Sequence, residues 1–310
     1  MNGELSRRAV LRGALAGVAG SMLNRIPVLA TSAPVTSSAP TARVGATLNL
    51  KAFKPGTTFQ QAVEIWNRTT GTEMRCWKIY YELGQFGTTN EKAVQTMIAM
   101  GIQALISVKP AITPSKTDRA AMVTLLKGFH GRGLQAQVCL WQEVGPKVMT
   151  ASQYHTYVSY YGPSIRQFYP LVFDAPGSQG PDEWRAYDPG RSNLDGYAVD
   201  YYCDTFTRQP FRLDTLTDLA GPLPIGIWEI GNGAAGNFNP TKDQIDTYMT
   251  YLQNFLTHRQ ASGLRVGSVA WFNGPHDGVN RSEIVGTNLC REAKVDLAAY
   301  RALYQAVNHA

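Results

Sequence analysis

The feature that most constrains this chain is a recurrence. Eight short runs of apolar, β-branched and aromatic residues, at 44–50, 75–81, 104–109, 135–143, 171–174, 196–202, 225–230 and 267–273, alternate with stretches of helical pattern. Their starts lie about 25 to 40 residues apart, the length of one βα unit. Helical segments fall between most of them. The stretch 116–130 follows Pro114-Ser115 and stops at Gly131 and Gly133, start and stop signals in the expected order. The stretch 241–260 places Ile245, Tyr248, Met249, Leu252, Phe255 and Leu256 at helical spacing. Residues 291–307 form a closing amphipathic segment. Between the fifth and sixth runs, 177–193 is rich in Gly, Pro and Asp and reads as a loop. Eight such units predict an α/β fold with a closed (β/α)8 TIM barrel in one domain. An open dinucleotide-binding sheet would want G-x-G-x-x-G after its first strand, and none stands there.

The barrel pattern begins only near residue 43. Ahead of it, Ser6-Arg7-Arg8-Ala9-Val10-Leu11-Arg12 puts paired arginines before an apolar run from Gly13 to Leu23. That order predicts a twin-arginine export signal over 1–30, a Ser/Thr/Pro/Ala linker over 31–42 and the barrel over 43–310. The run is shorter than the roughly 20 residues a membrane-spanning helix needs. A secreted protein without an integral membrane span is therefore expected. Residues 1–42 hold four arginines and one glutamate, so the formal charge of +6 falls to +3 without them. No Lys/Arg-rich run remains, which argues against a nucleic-acid partner.

Cys76, Cys139, Cys203 and Cys290 form no C-x-x-C pair, and the histidines have no paired spacing, so neither a metal nor another cofactor is expected. Cys76 and Cys139 sit in apolar runs as buried thiols. Cys203 and Cys290 follow expected strands and are the pair an oxidising compartment could join.

In a barrel of this kind the site is built at the C-terminal strand ends. The acidic residues there are Glu82, Glu143, Asp174, Asp200, Asp204, Glu229 and Asp277. Two stand out. Glu143 ends Cys139-Leu140-Trp141-Gln142-Glu143, and Glu229 lies in Ile225-Gly226-Ile227-Trp228-Glu229-Ile230-Gly231. Each is a carboxylate in an apolar strand beside a Trp, where burial without a task is costly.

Glutamates at the ends of strands four and seven resemble the signature of the clan A glycoside hydrolases. Val199-Asp200-Tyr201-Tyr202 and Trp271 are most similar to the β-mannanase-type members, family 26 and relatives. The resemblance implies Glu143 as acid/base, Glu229 as nucleophile and a retaining reaction on a polysaccharide or oligosaccharide. Trp271 is implied to lie under the sugar at the cleavage point, and Tyr201 or Tyr202 to hydrogen-bond the nucleophile. Trp141 shares the strand parity of Glu143, whereas simple alternation turns Trp228 away from Glu229 toward the helices. Gln142, Asp200 and Lys109 complete the expected substrate contacts, in a protein expected to be monomeric. The chain departs from the relatives in having Gln142 where Asn or His precedes the acid/base. It also places Arg75 at the start of strand two, where many relatives carry an Arg at its end. Two other readings stay open: a carbohydrate-binding barrel without catalysis, and a metal-assisted hydrolase using Asp174, Asp200 and His276. Mannan, xylan and β-glucan fit the sequence equally.

Overall fold

The computed structural model describes residues 42–82, 88–142, 144–175, 180–208, 213–232, 240–273, 284–286, 289 and 293–309. The expected export signal, its linker, Glu143, His276, Asp277 and Cys290 lie outside the described residues. Eight strands run in parallel: β1 (Arg43–Leu48), β2 (Cys76–Glu82), β3 (Gln103–Lys109), β4 (Ala136–Leu140), β5 (Leu171–Ala175), β6 (Gly196–Asp200), β7 (Ile225–Ile230) and β8 (Val266–Asn273). Their order is β1-β8-β7-β6-β5-β4-β3-β2, each consecutive pair in that order being hydrogen-bonded. Each ladder is parallel, as crossover helices require. The seam lies between β1 and β2. It is drawn together at its N-terminal end by the Arg75 amide, which donates to Val44 O at 2.9 Å. A Cβ on Gly45 would lie 1.9 Å from Cys76 O, so only glycine permits that approach. The result is the (β/α)8 barrel expected from the sequence.

The helices α1 (Phe59–Thr70), α2 (Thr88–Met100), α3 (Lys116–Gly131), α4 (Ala151–Ile165), α5 (Pro181–Tyr187), α6 (Cys203–Arg208), α7 (Leu213–Ala220), α8 (Lys242–Ala261) and α9 (Ala293–His309) connect or follow the strands. Their starts are written in the sequence. Thr58, Thr150 and Thr241 each accept from the backbone three residues on, and Gln61, Gln153 and Gln244 reach back to complete capping boxes. Helix α5 falls inside the stretch read as a loop. Pro181 opens it, Asp182 and Glu183 occupy its first turn, and Trp184 and Tyr187 are buried beneath it. A proline that breaks a helix interior is well placed in a first turn, which is why composition alone misread this segment.

Alternation divides the side chains into two cores. The outer one lies between barrel and helices. The inner one is a layer of Cys76, Leu105, Cys139, Val172, Ala198, Trp228 and Ala270, one from each strand from β2 to β8. One indole among small side chains fills the barrel axis at the close packing that interiors require. Trp228 thus points inward, contrary to the expectation that it faces the helices. Two observations account for it. The β7–β8 register slips between Ile227 and Ile230 and the β6–β7 register between Val199 and Asp200, so alternation does not continue through Trp228-Glu229. Gly226 then leaves room for the ring, since a Cβ there would sit 2.9 Å from the indole and 2.8 Å from Ser268 O.

Candidate active site

Above the inner layer, toward the C-terminal strand ends, the interior becomes polar. Lys78 projects from β2, Asp174 from β5, Asp200 from β6 and Glu229 from β7. The side chains of Lys78, Asp174 and Asp200 have no exposure, and that of Glu229 has 7%. The Lys78 ammonium donates to Asp174 Oδ2 at 3.1 Å and to both oxygens of Asp200 at 2.7 and 2.8 Å. It also lies 3.1 Å from Glu229 Oε1. One cation therefore holds three carboxylates together, and Asp174 and Glu229 lie within twice that distance of each other. The Trp228 ring stands 5.8 Å from the same nitrogen and walls it off.

Glu229 receives two further donors. Tyr80 OH donates to Oε1 and Tyr202 OH to Oε2. Strand geometry makes this possible. Lys78 and Tyr80 share a face of β2, and the β7 bulge brings Glu229 inward beside them despite its neighbour Trp228 also pointing inward. Both hydroxyls are held as neutral donors, because burial first and the Glu229 charge second push the tyrosines well above their ordinary range. Burial opposes the charge of Lys78, but Asp174, Asp200 and Glu229 together hold it well above the ordinary lysine value. Asp174 is the strained member: burial and the nearby Glu229 raise its carboxyl against the pull of Lys78. Burial and Asp174 likewise raise the Cys139 thiol, which sits 3.9 Å from Asp174 Oδ2.

A cavity of about 530 Å³ opens where the barrel seam widens, lined by Lys78, Tyr80, Asn49, Phe59, Phe272 and Asn273 among others. Its size suits a small ligand, and it meets the two β2 side chains that hold Glu229.

The expected site residues divide. Glu229, Asp200 and Tyr202 come together, and Asp174 joins them. Tyr201 does not: it faces outward and packs on Tyr248, Tyr251 and Phe206 of α8 and α6. Alternation after β6 selects Tyr202 over its neighbour. Trp271 is likewise displaced from its expected place under a sugar. It is 1% exposed and packs edge-on against Tyr300 of α9, and Phe272, of opposite parity, lines the mouth instead. Trp141, Gln142 and Lys109 gather at the ends of β3 and β4. The Gln142 amide donates to Ser107 Oγ at 3.2 Å, and Lys109 lies 5.7 Å from the Trp141 ring. Arg75 stays on the outside with Glu73. Asp174 and Asp200, weighed as metal ligands, grip Lys78, and among the described residues no His, Cys, Asp or Glu cluster is arranged for a metal. Cys203 is a buried free thiol that donates to Gln244 O at 3.7 Å. Among the described residues no helix is long and apolar enough to cross a membrane.

Sequence reading passed over Lys78 and Tyr80. The available signal was a lysine in the middle of the apolar run Cys76-Trp77-Lys78-Ile79-Tyr80-Tyr81, which burial permits only if it is paired.

Neither a protein-family model nor a curated protein matches the chain. Solved structures do. A GH5-4 broad specificity endoglucanase from an uncultured bacterium aligns with a TM-score of 0.53 at 12% identity, over 87% of this chain and 95% of that one. A GH10 structure from Paenibacillus barcinonensis aligns with 0.53 at 11% identity, over 85% and 94%. The GH26 domain of an endo-beta-mannanase/endo-beta-glucanase from Prevotella bryantii aligns with 0.49 at 9% identity, over 85% and 88%. The chain shares the barrel fold of the GH5-4 endoglucanase and of the GH10 structure.

Proposed function

We propose that this chain is a secreted, retaining β-glycoside hydrolase acting on a polysaccharide or oligosaccharide, with Glu229 as nucleophile and Glu143 as acid/base. The observation that carries the reading is the setting of Glu229. A carboxylate at the C-terminal end of a barrel strand, holding two tyrosine hydroxyls and an ammonium at its oxygens, is fixed in place and aimed, with donors set to take up the charge it regains as a leaving group. That is what attack on an anomeric carbon requires. In the first displacement Glu229 bonds to C1 while Glu143 gives its proton to the departing glycosidic oxygen. In the second, water attacks C1, Glu143 takes its proton, and the bond to Glu229 breaks. Tyr80, Tyr202 and Lys78 bear the negative charge that returns to Glu229 at that moment.

The barrel shared with glycoside hydrolases supports the reaction class, and the resemblance at strands four and seven supports the two roles. Export by the twin-arginine route rests on Arg7, Arg8 and the apolar run behind them. The test is hydrolysis of mannan, xylan and β-glucan by the purified chain, with product configuration read by proton NMR. Glu143→Gln and Glu229→Gln should each lower turnover by about a thousandfold or more while the protein stays folded. Parent-like turnover in either variant contradicts the roles. Binding of a polymer without hydrolysis would make the chain a carbohydrate-binding barrel.

A further inference from the structure

A second cavity, of about 430 Å³, lies at the ends of β2, β3 and β4 and is lined by Glu82, Lys109, Ile112, Asp118 and Trp141 among others. Trp141 adopts φ 55°, the one positive φ at a non-glycine residue among the described residues. Such a conformation is unfavourable for a bulky residue and persists only where the surroundings enforce it. Here they do. The Trp141 amide donates to Val108 O at 3.0 Å, and its indole N–H lies 3.1 Å from Pro110 O and 2.8 Å from Tyr157 OH. The indole is thus tied at its polar edge and half-buried against the core, and it lines the cleft together with Ile112, 44% exposed.

The polar groups complete the picture. Lys109 lies 5.7 Å from the Trp141 ring, and no carboxylate of the described residues pairs with it. Glu82 and Asp118 bring acceptors, Asp118 already taking the Ala111 amide at 3.3 Å. A fixed aromatic plane bordered by an ammonium and carboxylates matches a pyranose, with its C–H face and rim of hydroxyls. Two carboxylates against one ammonium disfavour a sugar that carries a carboxylate of its own. Position links the cleft to Glu229. Tyr80, which donates to Glu229, and Glu82, on the cleft, share one face of β2 and stand about 7 Å apart along it.

We propose that this cleft is a second sugar subsite, with Trp141 as its platform and Lys109 and Glu82 as its hydroxyl partners, which takes an uncharged unit of a β-linked chain beyond the one cleaved. The proposal rests on the glycoside hydrolase reading and adds a requirement for oligomers over short substrates.

The test is calorimetric titration of Glu229→Ala protein, which cannot turn substrate over, with β-1,4-linked manno-, gluco- and xylo-oligosaccharides of increasing length. Affinity should rise with length. Adding Trp141→Ala should weaken the longest ligand about tenfold or more, with the loss growing with ligand length. Lys109→Ala should weaken it in the same direction, and serves if the Trp141 variant fails to fold, as judged by its melting. Parent-like affinity of folded Trp141→Ala, or of Lys109→Ala where it stands in, overturns the subsite. If the wild-type chain still hydrolyses the polymer, the glycosidase reading survives that result. No binding and no hydrolysis across the panel overturns both. Tighter binding of a uronate-bearing oligomer than of its uncharged counterpart overturns the assigned sugar class.

Discussion

Replacing Lys78 by Met removes the one cation from a cluster of three buried carboxylates. The side chains of Lys78, Asp174 and Asp200 are unexposed, and Glu229 nearly so, so solvent cannot take over the role of the ammonium. Truncating one partner of a buried ion pair costs about 3–5 kcal/mol. Three carboxylates depend on this one, which places Lys78→Met toward the upper end. At about 2–4 °C per kcal/mol for a domain of this size, the melting temperature at pH 7 should fall by about 10–20 °C. The pH dependence has a definite sign. Lys78 is held above the ordinary lysine value of 10.5, so its contribution is whole below that value and is lost only as pH rises through its folded value. Lys78 of the parent therefore stays charged throughout pH 4–9. In the variant, Asp174 loses the pull that opposes its upward shift by burial, so it takes up a proton more readily as the pH falls and part of the cost is relieved. Differential scanning fluorimetry at pH 7 and pH 4 should show the gap between parent and variant narrowing in acid, and Lys78→Arg should recover part of it. A gap below about 2 °C at pH 7, or one that does not change with pH, refutes the reasoning.

Three further outcomes follow from the geometry. Tyr80→Phe and Tyr202→Phe each remove one donor to a charged oxygen, worth about 1.5–3 kcal/mol, so each should lower kcat/KM about 10- to 100-fold; steady-state kinetics within twofold of the parent would remove the tyrosines from the site. Gly226→Ala puts a methyl within 2.9 Å of the Trp228 ring and 2.8 Å of Ser268 O, which should cost about 1–3 kcal/mol and alter the near-UV circular dichroism of the buried indole. Trp271→Ala should destabilise by about 3–5 kcal/mol, because the ring is packed on Tyr300; a melting temperature equal to the parent's would return Trp271 to the list of ligand platforms.

Much of the fold is legible in the sequence, because a buried parallel strand writes itself as an apolar run and each turn of the chain repeats it. All eight strands fall within a few residues of their expected bounds, and Ile225–Ile230 coincides. The site is less legible at the points where one residue decides the outcome. Glu229 could be picked out as an expensive carboxylate in an apolar strand. Its inward orientation together with Trp228 could not, since the bulge arises from register with β6 and β8 rather than from any residue of β7 alone. The resemblance likewise left Tyr201 and Tyr202 as alternatives and put Trp271 under the sugar, whereas packing on α8 and α9 turns Tyr201 and Trp271 outward. Lys78 was readable by the rule that singled out the glutamates. It does not stand at a strand end, where barrel sites are built: it lies in mid-strand and reaches Glu229 through the length of its side chain.

The central claim is that Glu229 forms a covalent bond to the substrate. Incubating the chain with an activated 2-deoxy-2-fluoro glycoside of the sugar it hydrolyses, which slows breakdown of the intermediate, should add one glycosyl mass to the intact protein. Fragmentation of the peptic peptides should place that mass as an ester on Glu229. An adduct on Glu143, Asp174 or Asp200, or hydrolysis of the natural polymer with inverted configuration and no adduct, would contradict the account.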